Sequence, residues 1–366
     1  MNDELLKAAL LLNRITNYTP KQKCTLMERY STALNVLKER EEAERIFDKH
    51  FKINGTPLDV ERGKMFAEKE LAFYRKNSIE VIPLSNALYP PRLMEIYDPP
   101  TVLFTKGDLG LFRSECPIAL VGSRKASNGS INLGYSVARD LARVDTVVIS
   151  GLAAGIDFYA HKGVLDGDGK TIAVLGNGID IVYPKENDDL YGRIGKEGLL
   201  VTEFPLGTPP FKRNFPMRNR IISGLARAVV VVEASSGSGA LITAMYALEQ
   251  GREVMAFPGR ASSDSFSGNN RLIKEGAHLV ENAADILSIL GKELEVVYPG
   301  RNLALSPLEQ DILRVIGDDL VGIEDIGRII QGPVSRIASA LMMLELKSAV
   351  VRYPGKIYSR VQKYGE

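Results

Sequence analysis

Two rhythms of apolar and polar residues divide this chain of 366 residues. Up to about residue 76 the apolar positions recur at helical spacing, with Leu5, Leu6, Ala9, Leu12 and Ile15 on one stripe. Thr19 reads as an N-cap, with Pro20 at the first helical position and Gln22 three residues after the cap. The charged stretch from Asp59 to Arg75 reads as a further helix ending near Asn77. Val81–Leu84 and Thr101–Phe104 then predict strands around the turns Tyr89-Pro90-Pro91 and Asp98-Pro99-Pro100, whose prolines exclude helix.

From Ile118 short apolar runs alternate with helical stretches. The runs are Ile118–Val121, Thr146–Ser150, Thr171–Leu175, Leu199–Glu203, Ala228–Glu233 and Glu253–Phe257. Unbroken apolar strands such as Val229-Val230-Val231-Val232 predict a parallel sheet covered on both faces, and the helices between them make it a doubly wound α/β domain ending near Leu290. After a polar connector around Gly291–Asn302, Ser306-Pro307 opens a helix. The stretches Gly322–Ile330 and Val334–Lys347 follow, then a hairpin Val350–Ser359 turning at Pro354-Gly355, which together predict a winged helix-turn-helix. The resulting division is 1–76 helical, 77–115 connector and start of the core, 116–290 α/β core, 291–303 linker and 304–366 winged helix.

Charge changes this picture at one place. The chain as a whole is balanced, with 46 basic against 45 acidic residues. Yet the ten residues Phe211-Lys212-Arg213-Asn214-Phe215-Pro216-Met217-Arg218-Asn219-Arg220 hold four cations, two phenylalanines and no acid. Cations bind phosphates and aromatic faces between them stack on unpaired bases. The plainer alternative is a solvated surface loop.

Composition otherwise excludes more than it adds. No apolar run approaches the roughly 20 residues that span a bilayer, so no membrane partner is expected. The acidic start Met1-Asn2-Asp3-Glu4 does not read as a secretory signal. Cys24 and Cys116, far apart and without metal-ligand spacing, fit a reducing cytoplasm. With three histidines, His50, His161 and His278, a histidine metal site is not expected, and no cofactor is called for.

Ligands of open parallel sheets sit beyond the carboxyl ends of the strands. Here the first core strand leads into Gly122-Ser123-Arg124, where glycine admits a ligand to the backbone, serine offers a hydroxyl and arginine a bidentate fork. The second leads into Ser150-Gly151-Leu152-Ala153-Ala154-Gly155-Ile156-Asp157, a small-residue turn opening a helix, whose N–H groups favour an anion. Glu233 is followed by Ala234-Ser235-Ser236-Gly237-Ser238-Gly239-Ala240, another such turn. Lys185, after Tyr183-Pro184, is a further phosphate contact or a plain turn lysine. Gly176-Asn177-Gly178 lacks the third glycine of a dinucleotide fingerprint, and no G-x-x-x-x-G-K-[ST] occurs. Asp157 and His161, four apart on one helix face, could join Ser150 or Ser123 in a hydrolase triad. The better reading is a helix cap and a histidine in a polar niche, since neither serine sits on a G-x-S-x-G elbow.

Together these motifs resemble the DNA-processing protein A family (DprA, also called Smf). The resemblance runs from Val121-Gly122-Ser123-Arg124 through Ser150–Asp157 with Ala160-His161, and through Thr171–Gly176 and Tyr183-Pro184 to Glu203-Phe204-Pro205. It continues in Phe215–Leu225, Ser238–Ala244 and Phe257-Pro258-Gly259. It implies an extended Rossmann-like fold with a helical N-terminal domain of the sterile-alpha-motif or helix-hairpin-helix type and a C-terminal winged helix. It further implies a protein without catalytic activity that binds and protects single-stranded DNA and loads the RecA recombinase in natural transformation, as a homodimer through the Rossmann domain. The family's phosphate pocket carries over onto Gly122, Ser123, Arg124, Arg218, Asn219 and Arg220, and less directly onto Lys185. Beside these, Lys212 and Arg213 would neutralise the strand, N–H groups near Gly155 and at Ser238-Gly239 would hold further phosphates, and Phe211 or Phe215 would stack on a base. Packing in the core is the equal alternative for Phe215.

Two departures matter. Asn17–Gln22 has no glycine where the family's DNA-contacting hairpin often has one, so 1–76 reads as scaffold or partner surface. The expected recognition helix carries only Arg336 and Lys347 amid methionines and leucines, which suits protein docking or duplex backbone better than base reading. The rival function is a Rossmann-like nucleotide enzyme or sensor of phosphoribohydrolase type. Pro258-Gly259-Arg260 does not continue into the glycine-rich motif such enzymes carry.

Overall fold

The computed structural model describes residues 2–292, 305–317, 321–346, 349–353 and 357–360. The linker from 293 onward, the turn at Pro354-Gly355 and Lys347 lie outside the described residues. The chain forms two units, Met1–Glu295 and Val296–Glu366.

The first unit opens with helices α1 (Asp3–Arg14), α2 (Pro20–Tyr30), α3 (Ala33–Lys38) and α4 (Arg40–Ile46). A hairpin of β1 (Lys52–Ile53) and β2 (Thr56–Pro57) and the helix α5 (Val60–Lys76) complete the helical segment. The expected cap of α2 is present in full. Thr19 accepts from the Gln22 N–H while the Gln22 side chain accepts from the Thr19 N–H. The hairpin is an addition that two-residue strands cannot announce by periodicity. Its turn, Asn54-Gly55, has positive φ at both residues (51° and 84°), the pairing such tight hairpins favour.

The α/β part follows as β3 (Glu80–Pro83), α6 (Pro91–Met94), β4 (Val102–Gly107), β5 (Pro117–Val121), α7 (Asn128–Leu141), β6 (Val147–Ser150) and α8 (Ile156–Asp166). Next come β7 (Lys170–Val174), α9 (Asp188–Glu197), β8 (Leu199–Thr202), α10 (Asn214–Leu225), β9 (Ala228–Val231), α11 (Gly239–Glu249) and β10 (Glu253–Ala256). α12 (Ser267–Lys274), β11 (His278–Leu279) and α13 (Ala283–Ile289) close the unit. Among the described residues nine strands form one sheet in the order β11-β10-β9-β5-β6-β7-β8-β4-β3. Only the pairs β3–β4 and β4–β8 are antiparallel among the described residues.

Alternation along the central strands sends side chains to both faces. Ile118 and Leu120 meet α7, α8 and α13 on one side. Ala119 and Val121 meet α10 and α11 on the other. The helical segment is not detached from this sheet. Leu10, Leu12 and Tyr74 share a core with Phe104, Leu175 and Leu200, and the Tyr74 ring stacks on Phe104 at 4.9 Å.

The second unit consists of α14 (Pro307–Ile316), β12 (Val321–Gly322), α15 (Ile323–Ile330), α16 (Val334–Leu346), β13 (Val350–Tyr353) and β14 (Ile357–Arg360). Its sheet has the order β12-β14-β13, and Ile312, Ile316, Ile326, Ile337, Leu341 and Leu344 make its core. Three helices and a small antiparallel sheet are the winged helix that the sequence pattern predicts. On α16 the side chains of Met342 and Met343 are exposed.

Candidate functional site

Strand β5 is the pivot of the sheet. From it the chain winds outward through β6, β7 and β8, then returns to place β9 on β5's other side. Ligands of doubly wound sheets bind at such a reversal. Here the turns after β5 and β9 lie side by side: the Ser123 N–H donates to the Glu233 carbonyl at 2.7 Å and Val232 N–H to the Val121 carbonyl at 3.0 Å.

Backbone crowding explains the glycines of this edge. A Cβ on Gly122 would stand 2.5 Å from the Ile156 side chain and 3.1 Å from the Glu233 carbonyl. Gly155 has φ of 78°, and a Cβ there would stand 2.2 Å from the Ser123 carbonyl oxygen. This closeness lets the Ile156 N–H donate to that oxygen at 3.2 Å, docking the start of α8 against the Gly-Ser-Arg turn. Gly155→Ala is therefore expected to destabilise the protein by more than about 1 kcal/mol, measured by urea unfolding. A wild-type midpoint would show that the turn tolerates a side chain.

The resulting cleft is open and has a volume of about 910 Å³. Nine of the thirteen residues anticipated from sequence line it: Gly122, Ser123, Arg124, Lys212, Phe215, Arg218, Asn219, Ser238 and Gly239. Arg124 and Lys212 are exposed, and neither forms an ion pair among the described residues. The Arg124 guanidinium lies 5.0 Å from the centre of the Phe215 ring. That ring is half-buried, tilted against Tyr183 at 5.7 Å, and rests on Gly176. It is both packed and accessible, a wall of the cleft with a cation across it.

Arg218 plays a different part from the expected one. It is 3% exposed. Its Nη1 donates to the carbonyls of Gly151 (2.7 Å) and Val174, and Nε to the Asn219 side chain (3.2 Å). Burial pulls its ordinary value down to about 10, against the pull of the Asp157 carboxylate. Arg218 thus braces the ends of β6 and β7 and places a buried positive charge under the cleft. The Asn219 amide donates to the Gly239 carbonyl at 3.2 Å, which links α10 to the start of α11.

Four anticipated residues do not line the cleft. Gly155 is the packing glycine just described, and the N–H that follows it is already used. Arg220 is 2% exposed and faces the opposite side of α10, bonded to Asp98 (3.1 Å) and Glu203 (2.7 Å). It holds the Asp98-Pro99-Pro100 turn to the end of β8 and is not available to a phosphate. Arg213 is exposed and covers the Phe211 ring at 5.2 Å, outside the cleft. Lys185 follows Tyr183 and Pro184, which line a smaller adjoining cavity of about 80 Å³, but does not itself enter either space.

The sequence reading passed over Lys125, exposed beside Arg124 on the same wall. Its position directly after the Gly-Ser-Arg turn was the available signal. Three carboxylates also line the cleft, Asp157, Glu233 and Asp264, of which the sequence reading weighed only Asp157, as a helix cap or triad member. Two are committed inside the protein. Asp157 accepts the Gly151 N–H at 3.1 Å, and burial raises its pKa. Glu233 accepts Ser127 Oγ at 2.6 Å and the Ser127 N–H. The exposed charges facing solvent in the cleft are thus Arg124, Lys125 and Lys212 against Asp264.

A hydrolase triad is not assembled. His161 Nδ1 pairs with Thr171 Oγ1 at 2.7 Å, and Ser150 Oγ donates to the Leu120 carbonyl at 2.6 Å. Complete burial pushes the imidazole down to about 3. The folded state then binds the proton more weakly than the unfolded chain, whose histidine titrates near 6.5. The stability His161 contributes is whole above pH 6.5 and is lost as pH falls toward 3, at up to about 1.4 kcal/mol per unit. Unfolding free energies of wild type and His161→Asn are expected to diverge in slope across that window. Parallel pH profiles would place the acid sensitivity elsewhere.

Known proteins share this architecture. Residues 80–300 match the model for DNA recombination-mediator protein A, and 299–356 match that of the DprA winged helix domain. The chain belongs to the DNA-processing protein A (DprA/Smf) family. It is 38% identical to protein Smf of Escherichia coli over 297 residues, 79% of each chain. It is 46% identical to DprA of Streptococcus pneumoniae over 200 residues, 55% of this chain and 70% of that one. The X-ray structure of the pneumococcal family member superimposes with a TM-score of 0.65 at 34% identity, covering 79% of this chain and 98% of that chain. A Helicobacter pylori family member, whose structure concerns its single-stranded DNA binding mode, superimposes with a TM-score of 0.53 at 27% identity over 58% of this chain and 95% of its own. Among the described residues no helix is long and apolar enough to cross a membrane.

Proposed function

We propose that this protein binds single-stranded DNA in the cleft beyond β5 and β9 and carries out no chemistry on it. The observation that carries the reading is one cleft at the reversal point of the sheet that holds Arg124 over the accessible Phe215 ring and Lys212 beside it, both cations without an ion pair among the described residues. Gly122, Ser123, Asn219, Ser238 and Gly239 supply small surfaces and polar groups around the phosphates. Arg218 contributes charge from beneath. Cations that meet phosphates carry no sequence information, so binding is governed by phosphate number and salt.

In this reading the protein shields incoming single strands and passes them to a RecA recombinase in the cytoplasm, as the family resemblance supports. It acts as a homodimer through the Rossmann-like domain, gaining affinity from two tracks held together. Exposed Met245 and Leu248 on α11 and Leu279 on the edge strand β11 support a face of that kind. The helical segment 1–76 serves as scaffold or partner surface. The winged helix, with its methionine-bearing α16, docks a protein or a duplex backbone.

Fluorescence anisotropy of labelled single-stranded and duplex oligonucleotides over a salt series tests the reading. Preferential single-strand binding, with log K falling by roughly 0.7 per phosphate contacted for each tenfold rise in salt, is the expected result. No single-strand binding would sink it, and release of bases from nucleoside monophosphates would turn the cleft into an enzyme site.

A further inference from the structure

The helix that borders the cleft has a second side, exposed at Arg213 and Met217 and covered at Arg220 and Gly224. Residues 213, 217, 220 and 224 at the start of and along α10 are spaced four, three and four apart and share one face. Phe215, Arg218, Asn219 and Ile222, which line the cleft, occupy the opposite one. The second side begins with Arg213, its guanidinium 5.2 Å from the centre of the exposed Phe211 ring. It passes Met217, 37% exposed, and reaches Arg220 in its bond to Asp98.

Further along, a Cβ on Gly224 would meet the side chains of Leu93 and Ile96, so the segment 93–98 runs along this side of α10. Tyr97 stands there, 74% exposed, the most exposed aromatic ring among the described residues. Lys21 of α2 places its amine 4.4 Å from the centre of that ring. Two exposed pairs, each a cation over an aromatic ring, therefore flank the second side of α10. They connect to the cleft at 211–213, where Lys212 turns inward while Phe211 and Arg213 turn outward.

Neither ring is held in place by burial, yet both remain at the surface beside a cation. A face of this kind suits unpaired bases, which stack on any aromatic ring while neighbouring cations meet the phosphates. Of the nearby acids among the described residues, Asp98 and Glu203 share Arg220 and Glu95 pairs with Arg252, while exposed Glu28 of α2 is the one set against the cations. Arg213 and Lys21 form no ion pair among the described residues. From residue 213 to 220 the helix rises roughly 10 Å. That is a length of about three nucleotides at the stacked spacing of about 3.4 Å.

We infer that this strip, from Phe211 and Arg213 to Tyr97 and Lys21, is a second binding segment for single-stranded DNA. A strand leaving the cleft crosses the start of α10 and lays further bases on Phe211 and then Tyr97. The inference rests on the single-strand reading of the cleft and lengthens the site beyond it.

The test compares an oligonucleotide of about six nucleotides, short enough for the cleft alone, with one of about 20. On the full-length protein, Tyr97→Ala is expected to weaken binding of the longer strand about tenfold and leave the shorter unchanged. Tyr97→Phe keeps the ring and binds both like wild type. Lys21→Gln lowers the salt dependence of the longer strand by about 0.7 in slope and leaves that of the shorter. The strip is overturned if Tyr97→Ala holds the longer strand as tightly as wild type, or loses both lengths equally. Should Arg124→Ala lose both lengths while Tyr97→Ala loses neither, only the strip falls. A wild-type protein that binds neither length removes both readings.

Discussion

Arg124→Ala is expected to weaken single-stranded DNA binding by at least about tenfold, to the same degree for every base sequence. A hydrogen bond to a charged group is worth about 1.5–3 kcal/mol, and Arg124 is placed to make one or two with a phosphate. Its guanidinium is exposed, without an ion pair among the described residues, and held across the Phe215 ring at the reversal of the sheet. The salt dependence should flatten by roughly 0.7 in slope for each phosphate that the variant no longer neutralises. Stability should hardly change, because a surface side chain tied to one ring contributes within about 0.5 kcal/mol. Anisotropy titrations and urea melts on the same preparations read both quantities. Wild-type affinity in the variant would remove the cleft as the DNA site, and weakening confined to particular sequences would point to base reading.

The second large effect concerns stability alone. Arg220→Ala should cost up to about 3 kcal/mol of unfolding free energy, because it leaves two half-buried carboxylates without their cation. The Arg220 side chain is 3% exposed and that of Glu203 11%, with Asp98 at 29%. Burial by itself would lower the pKa of Arg220; Glu203 and Asp98 outweigh it and hold the guanidinium above its ordinary value. Close by, burial draws the Lys23 amine down to about 8 against the pull of Glu203. Lys23 donates to the Asn13 carbonyl at 2.7 Å, and the Asn13 amide donates to the Glu203 carbonyl at 3.1 Å, so this cluster also ties the N-terminal helices to the sheet. Folded Arg220→Ala should still bind a strand of about six nucleotides, short enough for the cleft alone, as wild type does. A stable variant that had lost DNA binding would return Arg220 to the phosphate site.

These two arginines show where the reading of a sequence stops. Arg124, Arg218 and Arg220 all stand in motifs that resemble the family's phosphate pocket, and residue identity alone treats them alike. Arg218 and Arg220 are two apart on α10, so the helix sends them to different sides, one beneath the cleft and one into a carboxylate cluster. Neither partner of Arg220 is near it in sequence: Asp98 is 122 residues away and Glu203 is 17. Lys125 is the converse case, a cation that joins the cleft although no motif marked it.

The elements themselves were legible because their signals are local. The short, β-branched apolar run at Ala228–Val231 reads as a strand buried on both faces, and Thr19-Pro20 with Gln22 closes its cap within four residues. The turns of small residues after β5, β6 and β9 are likewise written in adjacent positions. The sequence by itself thus determined the doubly wound sheet, the winged helix and the family. Only the tertiary structure decided which cations face solvent, that the β5 and β9 turns meet, and that Gly155 serves packing instead of a ligand. Those outcomes depend on strand order and helix rotation, which bring together residues separated by a hundred positions, and no local pattern of side chains encodes such distances.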